Sequence, residues 1–309
     1  MSEKKFIGAD EIPTEEVKQP QAQPNLDTQS PIVDNESSIG SVKKVYTDVN
    51  DTFVTVTDPS PVVILFGAKT SGKTMTLVRL TRYLEAHGYQ IKPDPLFRPS
   101  EDEDYKEMCR NYLKKCHSTY AADSTADMRF MLVKVLDKIG RPVCQLLEAP
   151  GEHYFDPDDP QRDFNTYIHN ILNIPNRRTW MFIVEQDWKD RETREAYVTR
   201  LQHLPAQVKR DKIIFTCHKV DKHSELTLSN GRPNTPQIFK NLQGQYPGMF
   251  ENFRNTKPII RLFKKYNFTF VPFSAGSFTV NEKGQQVYIP GDDVYPRLLW
   301  NAILKTVRG

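Results

Sequence analysis

What the chain has little of narrows the field first. Only four cysteines occur in 309 residues, at Cys109, Cys116, Cys144 and Cys217. None forms a C-x-x-C pair, so neither a zinc knuckle nor a disulfide framework is indicated. Cys144 and Cys217 fall inside apolar runs and read as small buried side chains. Long hydrophobic runs are missing too: the longest, Val62–Phe66, is far short of the ~20 residues that cross a bilayer. The opening MSEKKFIGADEIP carries charge at once and has no apolar stretch of signal-peptide length. A soluble, cytoplasmic protein with reduced thiols and no membrane span is expected. An excess of one charge sign is also absent, with 42 Lys+Arg against 39 Asp+Glu and a net charge of +3. That balance speaks against a general nucleic-acid binder.

The near-neutral total hides a division. Residues 1–60 hold 11 acidic and 5 basic side chains, a balance of −6, which leaves +9 on the remainder. Residues 1–50 are rich in Gln, Pro, Ser and acids, with scattered apolar residues, and are expected to form a disordered acidic N-terminal arm. The alternating FVTVT at 53–57 could add a strand before the prolines at 59 and 61. From there the texture is globular. VVILF at 62–66 reads as a strand buried on both faces, and 75–86 has helical spacing ending near Gly88. Ser100 with Glu103 is a capping-box pattern ahead of one apolar stripe: Tyr105, Met108, Cys109, Tyr112, Leu113 and Cys116. Strand-like runs at 129–136 and 142–147 are joined closely enough for an antiparallel hairpin. Further strands are expected at 180–184, 213–217 and 268–273, and a final helix over 294–307. The alternation predicts an α/β fold whose sheet is mostly parallel with one antiparallel strand.

The strongest chemical signal is Gly67, Ala68, Lys69, Thr70, Ser71, Gly72, Lys73 and Thr74, which fits G-x-x-x-x-G-K-[ST]. A buried strand leads in and a helix leads out, as the mechanics of a phosphate loop require. The glycines let backbone amides wrap an anion, Lys73 would bridge the outer phosphates, and Thr74 would offer its hydroxyl to Mg²⁺. The expected architecture is therefore a three-layer P-loop NTPase fold.

Three later strand ends carry Glu148-Ala-Pro-Gly151-Glu152, His218-Lys219-Val220-Asp221 and Ser274-Ala275-Gly276. In this order the chain resembles the translation-factor and Ras-related class of P-loop GTPases, with its D-x-x-G, N-K-x-D and S-A motifs. The resemblance covers roughly residues 61–309. It implies that Asp221 accepts hydrogen bonds from the guanine N1–H and amine, Lys219 lays its stem across the base, and the Ala275 amide donates to the guanine oxygen. His218 stands where the class has Asn, and Glu148 where it has the Asp that holds Mg²⁺ through water. Glu152 follows the glycine where Ras-like members place Gln, and a carboxylate cannot donate a hydrogen bond to phosphate. His153 is the alternative for positioning water, and Lys69, where Ras-like members keep glycine, sits close to where the γ-phosphate would lie. The resemblance also calls for a first-switch Thr on Mg²⁺, for which Thr125 is the candidate and Thr119 the runner-up. Residues 154–164, with two prolines and four aspartates, have the composition of a mobile second switch.

The expected function is a GTP/GDP switch or slow GTPase using Mg²⁺, with a protein partner reached through the switch loops or the arm. A catalytically impaired nucleotide-binding scaffold and an ATP-using P-loop enzyme are the alternatives. Insertions are expected near 89–124, 222–265 and 277–291. Residues 254–265 interleave basic and aromatic side chains, which fits a packed helix with a solvated basic face better than a nucleic-acid surface. Residues 278–290 read as a surface hairpin.

Overall fold

A computed structural model describes residues 53–119 and 130–308. The expectations for the N-terminal arm and for Thr125 lie outside these residues. Seven strands form one sheet: β1 Val62–Phe66, β2 Gln90–Pro93, β3 Met131–Leu136, β4 Pro142–Glu148, β5 Arg178–Glu185, β6 Lys212–His218 and β7 Phe268–Pro272. Their spatial order is β2-β3-β4-β1-β5-β6-β7. β4, β1, β5, β6 and β7 run parallel, and β3 is antiparallel to both of its neighbours. This is the expected mostly parallel sheet with one reversed strand. The added edge strand β2 pairs with β3 from Gln90↔Leu136 to Pro93↔Val133.

Strands that are buried on both faces need a layer on each side, and β1 is buried at every residue. On one face Phe66, Trp180, Phe182, Phe215 and Phe268 form a continuous aromatic seam. Tyr197 of a helix at Arg191–Gln202 and Phe250 and Phe253 further along pack onto it. The helices Lys73–Ala86 and Val294–Arg308 pack together, the latter along β5, β6 and β7. These three helices are termed α1, α5 and α9 by chain order, the others being α2 Glu103–His117, α3 Gly151–Tyr154, α4 Thr166–Asn173, α6 Ala206–Arg210, α7 Thr235–Gln245 and α8 Pro258–Phe263. A separate hairpin, β8 Gly276–Val280 with β9 Gln286–Pro290, turns at Asn281 to Gly284 as anticipated. Among the described residues no helix is long and apolar enough to cross a membrane.

Four local expectations change. Residues 53–57 form no strand; Val54 is buried and the Thr55 N–H donates to the Phe97 carbonyl. α2 is capped by Asp102, whose Oδ1 accepts the Tyr105 N–H at 3.0 Å, while Ser100 turns to Glu101. A carboxylate next to the first turn satisfies the same backbone donor and also suits the helix dipole. The basic segment makes only the six-residue α8, none of whose residues is buried. The acidic loop 154–164 is anchored rather than loose: Tyr154, Phe155 and Phe164 are buried, and Arg200 of α5 ties its two ends. The Arg200 Nε donates to the Tyr154 carbonyl at 2.9 Å, Nη1 donates to the Arg162 carbonyl, and the guanidinium lies over the Phe164 ring.

Arg200→Met keeps the stem but removes the donors, stranding two carbonyls. The expected loss is about 2–3 kcal/mol, read from urea midpoints, with faster proteolysis inside 154–164. Unchanged stability and cleavage would show that the loop is held by its aromatics alone.

Candidate functional site

The site grows from the exit of β1. The loop turns through two left-handed residues, Thr70 at φ 61° and Gly72 at φ 92°, before α1 begins. Gly72 caps the helix without a side-chain bond, and no acidic residue sits in the first turn. The first N–H groups of a helix lack intrahelical acceptors and carry its positive end, so such an uncapped start is suited to an anion. Ser71 is buried in the loop and its hydroxyl has no protein partner.

Lys73 is buried and folds back over the loop, its Nζ donating to the carbonyls of Gly67 at 3.0 Å and Ala68 at 2.8 Å. Burial pushes the ammonium down to about 8, against the opposing pull of Glu148 and Glu152. Phosphate oxygens at the cradle would return the charge compensation that burial removes.

Glu148, at the end of β4, is the acceptor that joins three elements. Its Oε1 accepts from the Thr74 hydroxyl at 3.0 Å, and its Oε2 accepts from the Phe130 N–H at 3.1 Å. The extra methylene relative to Asp therefore reaches the phosphate-loop threonine directly. A hydroxyl beside a buried carboxylate at the mouth of a phosphate loop fits Mg²⁺, which keeps several waters and takes few protein ligands. Three residues on, Gly151 lies so close to the loop that any side chain there would run into the backbone of Ala68 and Lys69. The glycine is required by this approach, and it brings the start of α3 against the loop.

From β6, His218 packs its ring against Gly72 and Phe273 and places Nε2 3.1 Å from the Thr76 hydroxyl. That hydroxyl donates to the Gly72 carbonyl at 2.8 Å, so the histidine is the donor and carries its proton on Nε2. Burial, with help from Lys219 and Lys73, lowers His218 to about 3, which leaves it neutral. It thus ties the β6 loop to the phosphate loop. Lys219 follows at φ 60° and pairs with Glu185 at 2.5 Å. Asp221 is exposed on a short 3-10 turn, Val220–Lys222. Beyond β7, Ser274 is buried and its Oγ accepts the Gly276 N–H at 3.1 Å, shaping the backbone around Ala275. Arg79 of α1 reaches the same region, donating to the Gly291 carbonyl at 2.7 Å and pairing with Asp293.

A cavity of about 540 Å³ opens over the loop. Ala68, Lys69, Thr70 and Ser71 line one side, and Glu185, Trp188, Lys219 and His223 line the other. Asp221 is not among its lining residues. Glu152 is exposed, whereas His153 is turned inward, with Nδ1 2.9 Å from the Tyr167 hydroxyl and burial lowering it to about 4. Thr119 is exposed and its carbonyl accepts the Tyr288 N–H at 2.8 Å. Glu185, Thr76, Phe130 and Arg79 join the site without a sequence motif to mark them. Of these, Glu185 had one visible sign, a lone acid closing the apolar run WMFIV.

Strand order, the reversed β3, and a phosphate loop between β1 and α1 with motif residues at the ends of β4, β6 and β7 define the three-layer P-loop α/β fold that the sequence predicts. No protein-family profile matches the chain, and no curated protein matches it at a significant level. Among solved structures it is similar to nucleolar GTP-binding protein 1 of Plasmodium falciparum, with 14% identity over 82% of this chain and 90% of that one and a TM-score of 0.39. A signal recognition particle receptor SRb-GTP/SRX complex from Chaetomium thermophilum gives 13% identity, coverage of 80% and 99%, and a TM-score of 0.39. Roco2 RocCORdC of Methanosarcina barkeri, bound to GDP, gives 12%, 83% and 52%, and 0.32. These distant likenesses carry no weight beyond the chain's own geometry.

The depressed Lys73 makes phosphate binding pH-dependent. A bound polyanion favours the ammonium and raises its pKa, so binding above about pH 8 takes up a proton. Nucleotide affinity should be flat below pH 7 and fall by up to about tenfold per unit above pH 8. Calorimetry at pH 8.5 in buffers of different ionisation enthalpy should register proton uptake; proton release or none would contradict the placement of Lys73 against the phosphates.

Proposed function

We propose that the chain is a guanine-nucleotide-binding protein that cycles between GTP and GDP forms with slow intrinsic hydrolysis. The observation that carries this reading is the gathering of four motif segments at one end of the sheet. The loop after β1, Glu148 to Gly151 after β4, His218 to Asp221 after β6 and Ser274 with Ala275 after β7 all leave the carboxyl ends of parallel strands. That is where ligands bind in open α/β sheets.

In this reading Gly67, Lys69, Thr70, Ser71, Gly72, Lys73 and Thr74 surround the phosphates, with Gly151 closing from the side. Lys73 exchanges two carbonyl acceptors for phosphate oxygens. Thr74 and Glu148 would hold Mg²⁺, through the hydroxyl and through water, and the ion when bound neutralises charge between the outer phosphates. His218 braces the base loop against the phosphate loop in the role the class gives to Asn. Lys219 covers the base, Asp221 selects guanine by pairing with its two adjacent donors, and the Ala275 amide meets its oxygen. Hydrolysis is slow because Glu152 offers only an acceptor and the His153 ring is engaged with Tyr167. Protein partners would meet the loops at this end of the sheet or the N-terminal arm.

With Mg²⁺, GTP and GDP should raise the melting temperature several degrees more than ATP, and Lys73→Ala should abolish the difference. Asp221→Asn should move the preference toward xanthine nucleotides. Equal stabilisation by ATP and GTP would remove the guanine assignment. Single-turnover phosphate release, abolished in Lys73→Ala, separates the slow enzyme from the scaffold.

A further inference from the structure

Among the described residues, the most exposed large apolar side chains cluster on α8. α8 and its flanks read Lys257-Pro-Ile-Ile-Arg-Leu-Phe-Lys-Lys265. Ile259 is 74% exposed, Leu262 84% and Phe263 89%. A folded chain rarely leaves adjacent large apolar side chains so open without a use for them.

The segment is held on a closed stalk. Arg254 and Tyr266 form an antiparallel bridge. The Asn255 N–H donates to the Lys265 carbonyl at 3.0 Å, and the Asn267 N–H donates to the Phe253 carbonyl at 2.8 Å. The Asn255 side-chain amide adds bonds to the carbonyls of Lys264 and Tyr266. Phe253 beneath is fully buried in the aromatic seam. Above this neck, α8 closes with Arg261 N–H to Lys257 and Lys264 N–H to Ile260. The result is a convex knuckle whose tip is apolar and whose backbone is already satisfied, so little ordering remains to be done on contact.

Charge identifies the occupant. From Asn252 to Asn281 the chain contains no acidic residue, while Arg254, Lys257, Arg261, Lys264 and Lys265 supply five cations. Arg254 pairs with Glu251 and the Lys265 ammonium lies over the Tyr266 ring at the neck, while Lys257, Arg261 and Lys264 have long stems that can lie along the apolar tip with their charges outward. A single-stranded nucleic acid would need several exposed aromatic rings for stacking. Phe253 is buried and Tyr266 is packed on Phe268, leaving only Phe263. An apolar tip with one aromatic ring, flanked by cations, instead matches an anionic lipid interface, where apolar side chains enter the headgroup boundary and each nearby cation adds affinity.

We propose that α8 is a peripheral docking knuckle for anionic phospholipid surfaces. It precedes the start of β7, whereas Ser274 and Ala275 follow its end, about 17 Å away for a five-residue strand. Docking there leaves the nucleotide end facing the solvent.

Full-length protein is sedimented with phosphatidylcholine vesicles, with vesicles containing 30% phosphatidylserine, and with a single-stranded RNA oligonucleotide. Binding to the anionic vesicles alone, weakening with salt, is expected. Leu262→Ser with Phe263→Ser should lower partition about tenfold or more, and Lys264→Glu with Lys265→Glu at least about twentyfold. Because these side chains are exposed, both variants should melt with the wild type, which separates a docking defect from unfolding. No vesicle binding, equal binding to neutral vesicles, wild-type binding by both variants, or capture of RNA instead of vesicles would each overturn the proposal.

Discussion

The buried carboxylate of Glu148 is the interaction on which the rest of the site depends. A carboxylate removed from water is costly unless its oxygens are matched, and here each oxygen accepts one bond from a different element. The Thr74 hydroxyl fixes the first turn of α1 to the end of β4, and the Phe130 N–H fixes the start of β3 to the same point. Lys73 lies close enough for its charge to be felt. With β4 so anchored, Gly151 is delivered against the backbone of Ala68 and Lys69.

Backbone strain converges on the same place. Among the described residues, Thr70, Phe130 and Lys219 are the non-glycine residues with positive φ, at 61°, 56° and 60°. Each such conformation costs roughly 1–3 kcal/mol and persists only where neighbours hold it. Thr70 shapes the phosphate loop, Phe130 presents the N–H that Glu148 takes, and Lys219 sends its stem toward Glu185. Two of them are held by long-range neighbours, Glu185 on Lys219 and Glu148 on Phe130, and His218 packs on Gly72 within the phosphate loop. The nucleotide end is thereby preorganised by packing between strands rather than by local turn preference.

This division also explains what the chain's residues announced and what they concealed. Buried parallel strands such as VVILF and WMFIV are legible because burial on both faces leaves no polar alternation, and the phosphate loop is legible because its chemistry is local. β2 was not visible, since Gln90–Pro93 alternates polar and apolar over only four residues and is held by pairing to β3. The anchoring of 154–164 was hidden because its clamp, Arg200, is distant in sequence. The α2 cap went to Asp102 over Ser100, a choice between neighbours that local pattern does not rank. At 254–265 the interleaved aromatics suggested a packed helix, yet Phe253 and Tyr266 turn inward at the neck and leave α8 outside. Asp221, named from its motif, stands exposed on the short turn after β6.

If Glu148 and Thr74 form the metal-bearing edge of a phosphate site, Glu148→Gln should weaken Mg²⁺ binding there. The amide oxygen can still accept from Thr74, but the amide NH₂ then faces the Phe130 N–H, so the melting temperature is read alongside to separate loss of charge from loss of the β3 anchor. Titrating Mg²⁺ into the GDP complex of each protein should show that the variant still binds nucleotide but has lost at least about tenfold of the metal's contribution to affinity. Equal Mg²⁺ dependence in the two proteins would contradict the account.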